Sequence, residues 1–248
     1  MNSVLRAELY KAIKSKSFFI CLAFLILIIP LSIHIIIESP DEFSRGVSGA
    51  SIILDRMGDN IPVVTIAVFI AEFIGMEFQT ARIKLIIPHM NSRAYFYISK
   101  LIVCCIGMLA ANAISLVFYG IVATVKWGFD PTQIFNFSGF FAFCFLQMFA
   151  LCAYTAIFVC CSFFTESFGI AFAVDVLIVM FVPQILQFLD RILGTQSFFY
   201  NSWPGICALR AATYEPTLSI ICEVVFSCIV IIGSSTMLGC WRLNHREI

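Results

Sequence analysis

EFIGMEFQTARIKLIIPHMNSRAYFYISK, Glu72 to Lys100, joins two long apolar runs and holds the densest polar pattern in the chain. Glu72 and Glu77 fall in the end of the first run, and the second resumes at Phe96. Between them Ile83, Ile86 and Ile87 recur at helical spacing while Arg82 and Lys84 stay free for solvent or acidic groups. That pattern predicts a short amphipathic helix over Thr80–Pro88, stopped near Pro88 because proline cannot continue the backbone ladder. A basic amphipathic segment between two apolar runs is how one membrane-spanning helix hands over to the next.

The rest of the chain agrees. Of its 248 residues, 61% are hydrophobic and 12% charged, against about 25% charged in a soluble domain. A spanning helix needs roughly 20 mostly apolar residues. Six windows of that kind occur, at about 18–37, 61–78, 96–125, 137–163, 168–189 and 217–240. They are continuous rather than alternating, so helices and not barrel strands are expected. The first is expected to stay as a span, since it exceeds the apolar core of a signal peptide. The longest polar connections are Glu38–Asn60 and Asp190–Pro216, too short for a soluble domain. The expected fold class is an all-α membrane protein, with residues 1–248 forming one membrane domain.

Lys and Arg set the orientation. Arg6, Lys11, Lys14, Lys16, Arg82, Lys84, Arg93, Lys100, Arg242 and Arg246 fall on one side. Arg45, Arg56, Lys126, Arg191 and Arg210 fall on the other, diluted by acids. Both termini are therefore expected in the cytoplasm. Of 11 cysteines only Cys207 lies in an expected external connection and there is no C-x-x-C, so neither a disulfide framework nor a metal site is expected.

Residues 4–16, VLRAELYKAIKSK, place Leu5, Leu9, Ala12 and Ile13 on one helical face, with Glu8, Lys11 and Lys14 elsewhere. This suits a helix in the interface with its apolar side in lipid and its lysines toward anionic headgroups. A simple positive anchor is the other reading. In RILGTQSFFYNSWPGICALRAATYEP, Phe198, Phe199, Tyr200, Trp203 and Tyr214 are interfacial residues, broken by Pro204-Gly205. Two short helices dipping into the membrane, or a loop resting on the headgroups, both fit.

No phosphate-binding loop, zinc-protease, nucleophile-elbow or dinucleotide motif occurs, and His34, His89 and His245 lie in separate segments. No enzymatic site is expected. Ionisable residues inside spans are costly and are the default candidates for function. They are Glu72, Glu77, Asp175 and Glu223. Glu77 is near enough to the interface to snorkel or pair with Arg82, whereas Glu72 needs a partner. Asp175 and Glu223 read as neutral carboxyls clamping helices through Ser, Thr or Gln, or as part of an ion relay.

The stretch Glu77-Phe-Gln-Thr80-Ala-Arg82-Ile-Lys84-Leu-Ile-Ile-Pro88, followed by Ser92-Arg93 and Lys100, resembles the block E-x-G-T-x-K-x-L-L-x-x-P-x-S-R…K of ABC-2 type permeases, the membrane subunits of ATP-binding-cassette exporters. The resemblance implies an N-terminal elbow helix at 4–16, six spans, cytoplasmic termini, and a coupling helix that docks on a separate ATPase. It makes Glu77, Thr80, Arg82, Ile83, Lys84, Ile86, Ile87, Pro88 and Arg93 the ATPase-coupling residues. Gln79 departs from the family, which often has Gly there. The implied partners are two ATPase subunits, which bind ATP and Mg, and a second permease, identical or related; this chain holds no cofactor, and nucleic acid has no part. The chain is most similar to small permeases of bacterial self-protection against lantibiotics or bacitracin-like peptides. That implies an amphipathic peptide or lipid-linked substrate, moved out of the cell or membrane, and a place in the bacterial plasma membrane. Two other classes fit the residues alone: an ion-coupled transporter or channel using Glu72, Asp175 and Glu223, and a non-transporting sensor or scaffold.

Overall fold

A chain segment in lipid has no water to satisfy its backbone, so its N–H and C=O groups must pair within the segment. The computed structural model, which describes residues 2–38, 60–80, 83, 92–128, 137–195, 197–206, 209 and 218–245, is helical in every named element. In chain order these are α1 (Asn2–Ile13), α2 (Lys16–Glu38), α3 (Asn60–Gln79), α4 (Arg93–Trp127), α5 (Phe137–Thr165), α6 (Phe168–Leu193), α7 (Phe198–Asn201) and α8 (Leu218–Asn244). No strand occurs among the described residues.

Among the described residues, five helical stretches are long and apolar enough to cross a membrane: Ile61–Gln79, Arg93–Trp127, Ala142–Thr165, Phe168–Leu193 and Leu218–Asn244. The protein is therefore an all-α, multi-pass membrane protein by length and composition. The helices overrun the expected spans at several ends, because polar residues such as Arg93, Asp190 and Arg242 continue the helix past the apolar window. Glycines stop two of them. Gly128 at φ 75° ends α4, its N–H donating to Thr124 O, and Gly194 at φ 66° ends α6, its N–H donating to Asp190 O.

α5 is the central helix, packed against α8, α3, α4 and α6, while α2 lies on α3 and α4, and α1 on α4. Large apolar side chains point outward from α4, α6 and α8, including Val125, Phe188 and Met237, as expected of helices whose solvent is hydrocarbon. With no hydrophobic force between helices in lipid, close packing supplies the cohesion. Phe163 on α5 meets Phe78 of α3 at 5.5 Å and Phe96 and Tyr97 of α4 at 6.2 and 4.9 Å between ring centroids. Gly75 lets α3 touch the start of α6, where a Cβ would come within 2.7 Å of the Phe168 backbone nitrogen. Phe78, Phe96, Tyr97, Phe163 and Phe168 place the C-terminal ends of α3 and α5 and the N-terminal ends of α4 and α6 at one end of the bundle, beside α1.

Two expectations are settled here. The segment after α6 folds back into the bundle. Asp190 accepts from Thr195 Oγ1 at 2.5 Å and from the Phe199 and Tyr200 amides at 3.0 and 2.8 Å, which holds α7 against α6. Trp203 is buried, its indole N–H donating to Tyr154 Oη of α5 at 2.7 Å, and Ser227 of α8 donates its hydroxyl to the Ser202 carbonyl. Tyr154 lies about 16 Å of helix from the Thr165 end of α5, so Trp203 packs within the bundle and not at its end. The second expectation is overturned. The α1 face carrying Leu5, Leu9 and Ala12 packs against the protein core, not lipid, and Ile13 is left 58% exposed. Glu8 explains the inversion: it shares that face, and a carboxylate cannot be turned into hydrocarbon.

Candidate functional site

Where α1, α3 and α4 meet, four charged side chains are drawn together. Leu5, Glu8, Leu9 and Ala12 follow the i, i+3, i+4, i+7 spacing of one helix face, so packing α1 by its leucines also buries Glu8. Glu77 sits in the last turn of α3, and Lys100 two turns into α4. Lys100 is 0% exposed; its Nζ lies 2.5 Å from Glu8 Oε2 and 2.8 Å from Glu77 Oε1. Lys11 closes the cluster from the surface, with Nζ 2.7 Å from Glu8 Oε1 and 3.1 Å from Glu77 Oε1. The Lys100 ammonium also lies 4.0 Å from the Phe73 ring centre and 5.6 Å from that of Phe96, each one helical turn from a member of the cluster.

Two acids and two ammoniums leave the cluster neutral, the condition under which charges tolerate low dielectric. Burial works against ionisation of Glu8, but the Lys100 ammonium, aided by Lys11, outweighs it and holds the carboxyl below its ordinary range. Burial likewise opposes the charge on Lys11, and Glu8 with Glu77 outweighs it, so the ammonium is held above its ordinary range. Glu77 Oε2 is buried and has no hydrogen-bond donor among the described residues. Chemically the cluster is a clasp. It joins the N-terminal helix to the two helices that flank residues 80–92.

The same end is tied a second time. Arg93 Nη1 donates to the carbonyls of Leu243 and Asn244 at 3.2 and 3.3 Å, satisfying the open C-terminal end of α8. Tyr97 Oη donates to Ser235 O at 3.4 Å, and a Cβ on Gly239 would come within 2.3 Å of the Tyr97 ring. Arg242 lies 3.8 Å from Glu166 in the turn between α5 and α6. Thr80, exposed, bonds back through Oγ1 to Met76 O at 2.6 Å and so rounds off α3.

Among the residues singled out from sequence, Glu77, Thr80 and Arg93 thus gather at one end. Ile83 is 3% exposed and belongs to the chain's own core. Arg82, Lys84, Ile86, Ile87 and Pro88 lie outside the described residues. Glu77 pairs with Lys100 and Lys11, partners the sequence did not suggest, because both lysines read as ordinary positive-inside charges. Glu72 is half-buried on α3. Asp175 is 0% exposed, and both its carboxyl oxygens are buried with no hydrogen-bond donor among the described residues. Glu223 is exposed in the second turn of α8. No group of three or more His, Cys, Asp or Glu side chains among the described residues is placed to hold a metal ion.

One signal for the clasp was present in the sequence: Glu8 falls in step with Leu5, Leu9 and Ala12, and Lys100 follows Phe96 at one turn inside an apolar run. A charge in step with a buried face asks for an opposite charge on the facing helix. Comparison of the chain with protein-family models and with curated proteins gives no match.

Proposed function

We propose that this chain is the membrane-spanning permease subunit of an ATP-binding-cassette exporter. α2 supplies a sixth crossing, both termini lie in the cytoplasm of a bacterial cell, and α1 is the elbow helix. Two separate ATPase subunits bind ATP and Mg, and a second permease, identical or related, completes the pathway. An amphipathic peptide or lipid-linked compound enters laterally and is moved outward.

The observation that carries this reading is the Glu8–Lys11–Glu77–Lys100 clasp. Residues 80–92, which bear the permease-like block, run between Glu77 and Lys100, and those two are paired at 2.8 Å with α1 bound to both. A push delivered to such a segment is passed to α1, α3 and α4 together, as a lever requires. Because Ile83 faces the chain's own core and Ile86 and Ile87 share its expected helical face, Arg82 and Lys84 are left as the docking residues. An ion relay is less well supported, since Asp175 is buried while Glu223 is exposed, so the two are not matched in setting.

The test is purification of the chain from its native membrane in mild detergent, with mass spectrometry of what accompanies it. An ATPase with a phosphate-binding loop is expected, and Arg82→Glu with Lys84→Glu should release it while leaving the membrane protein at normal abundance. Retention of that ATPase by the double variant, or its absence from the wild type, defeats the proposal.

A further inference from the structure

The far half of α6 carries two different stripes on its exposed side. Gln184, Gln187 and Arg191 fall at i, i+3 and i+7, and all three are exposed. Beside them Phe181, Ile185, Phe188 and Ile192 recur at i, i+4, i+7 and i+11 as exposed apolar residues. Where the polar stripe meets the turn after α6, Gln187, Asp190, Arg191, Gly194 and Ser197 line an open cleft of about 280 Å³. Asp190 commits its carboxylate to the turn, where Thr195 Oγ1 and the Phe199 and Tyr200 amides donate to its two oxygens, so three donors already answer its charge. The Arg191 guanidinium, the Gln187 amide and the Ser197 hydroxyl make no hydrogen bond or ion pair among the described residues. The cleft therefore presents one uncompensated positive charge and several uncommitted donors.

Its depth is set by helix length. α6 begins beside the Glu166–Arg242 pair at the clasp end, and at 1.5 Å per residue Arg191 lies about 35 Å along it. That is past a hydrocarbon core about 30 Å thick. Arg191 thus stands at headgroup level on the far face, and the apolar stripe runs down from it among the acyl chains.

We propose that this cleft binds the phosphate of an anionic membrane phospholipid, whose acyl chains lie along Phe181, Ile185, Phe188 and Ile192. The planar guanidinium of Arg191 offers two parallel N–H groups to two phosphate oxygens. The Gln187 amide and the Ser197 hydroxyl donate to the oxygens that remain. A free phosphate ion would satisfy the donors but leave the stripe unused, so the adjoining apolar residues favour a lipid as the source of the phosphate. The assignment is independent of the exporter reading, because it concerns the end of the bundle opposite residues 80–92.

The test uses the full chain in a non-ionic detergent, stripped of co-purified lipid. It is incubated with dioleoyl phosphatidylglycerol, with dioleoylglycerol, which lacks the phosphate, or with phosphatidylglycerol and inorganic phosphate together, and bound lipid is counted by native mass spectrometry. Phosphatidylglycerol should be retained, dioleoylglycerol at the same concentration should not, and equimolar inorganic phosphate should not displace the lipid. Arg191→Gln and Gln187→Glu should each weaken phosphatidylglycerol binding on the order of tenfold or more, with the thermal midpoint in lipid-free detergent unchanged. Lys126→Gln, which removes an exposed cation at the same end of the bundle, should leave binding as it is. Equal retention of dioleoylglycerol, or an equal loss of binding in Lys126→Gln, would overturn the proposal, and so would displacement by equimolar inorganic phosphate, which marks a free-phosphate site. Conversion of a dimer to a monomer by Arg191→Gln with lipid binding intact would also overturn it, since the cleft would then be a contact between copies of the chain.

Discussion

Lys100 is the residue on which the clasp turns. Replacing it with Met leaves Glu8 and Glu77 facing one another in a desolvated site, and removal of one member of a buried ion network costs about 3–5 kcal/mol. The expected outcome is a large fall in the thermal midpoint of detergent-solubilised protein. Adding Glu8→Leu and Glu77→Leu to Lys100→Met should restore much of the loss, since an apolar replacement of a whole buried network is often neutral. A triple variant less stable than Lys100→Met would show that the charges do more than cancel one another. The cluster also fixes a pH response. Glu8 is held below its ordinary range, so its contribution is complete above the unfolded value of about 4.3 and disappears as pH falls through the lower folded value. Lys11 is held above its ordinary range, so its contribution is complete below about 10.4 and is lost as pH rises through the higher folded value. The midpoint should therefore stay level across neutral pH and decline at both extremes, and Glu8→Gln should flatten the acid limb. This is checked by thermal scans over a pH series.

At the scale of elements, α3 and α6 touch because position 75 has no side chain. A Cβ there meets backbone atoms of Phe168 at 2.7 and 2.8 Å, and backbone cannot turn aside as a side chain can. Gly75→Ala should force the helices apart at a cost of about 1–3 kcal/mol, whereas Gly169→Ala, which meets open space, should be silent. Thermal stability of the two variants in one detergent decides it. The folded-back segment offers a second test. Tyr154→Phe leaves the buried Trp203 indole N–H without its acceptor, and an unsatisfied buried donor costs about 1–3 kcal/mol. Trp203→Phe combined with Tyr154→Phe removes both partners, so the pair should lose less than the two single losses added together. A double-mutant cycle of unfolding midpoints measures the difference. Trp203 and Pro204-Gly205 announced an interfacial break in the sequence, but how far it descends was set by Tyr154 and Ser227, on helices far away in the chain.

For the whole molecule, the unequal division of Lys and Arg predicts which end faces the cytoplasm. A membrane-impermeant thiol reagent applied to intact cells should modify Cys207 and a cysteine placed at Ser48, but a cysteine placed at Ser92 only after permeabilisation. Labelling at 92 in intact cells would reverse the orientation and remove the basis for docking an ATPase at residues 80–88. The amino-acid sequence by itself determined that the chain is a bundle of long helices in lipid, and nearly where they begin and end. Hydrocarbon forces backbone pairing within each apolar run, which is a local requirement that a window of about 20 residues contains in full. It also marked Glu77 as a polar residue of consequence. Only the tertiary structure decided what Glu77 pairs with, that α1 turns its leucines inward, that Ile83 belongs to the core, and that Asp175 is buried while Glu223 is not. Each of these depends on which helix faces which across a register separated by tens of residues, and burial of a charge becomes affordable only when the facing helix brings the opposite one.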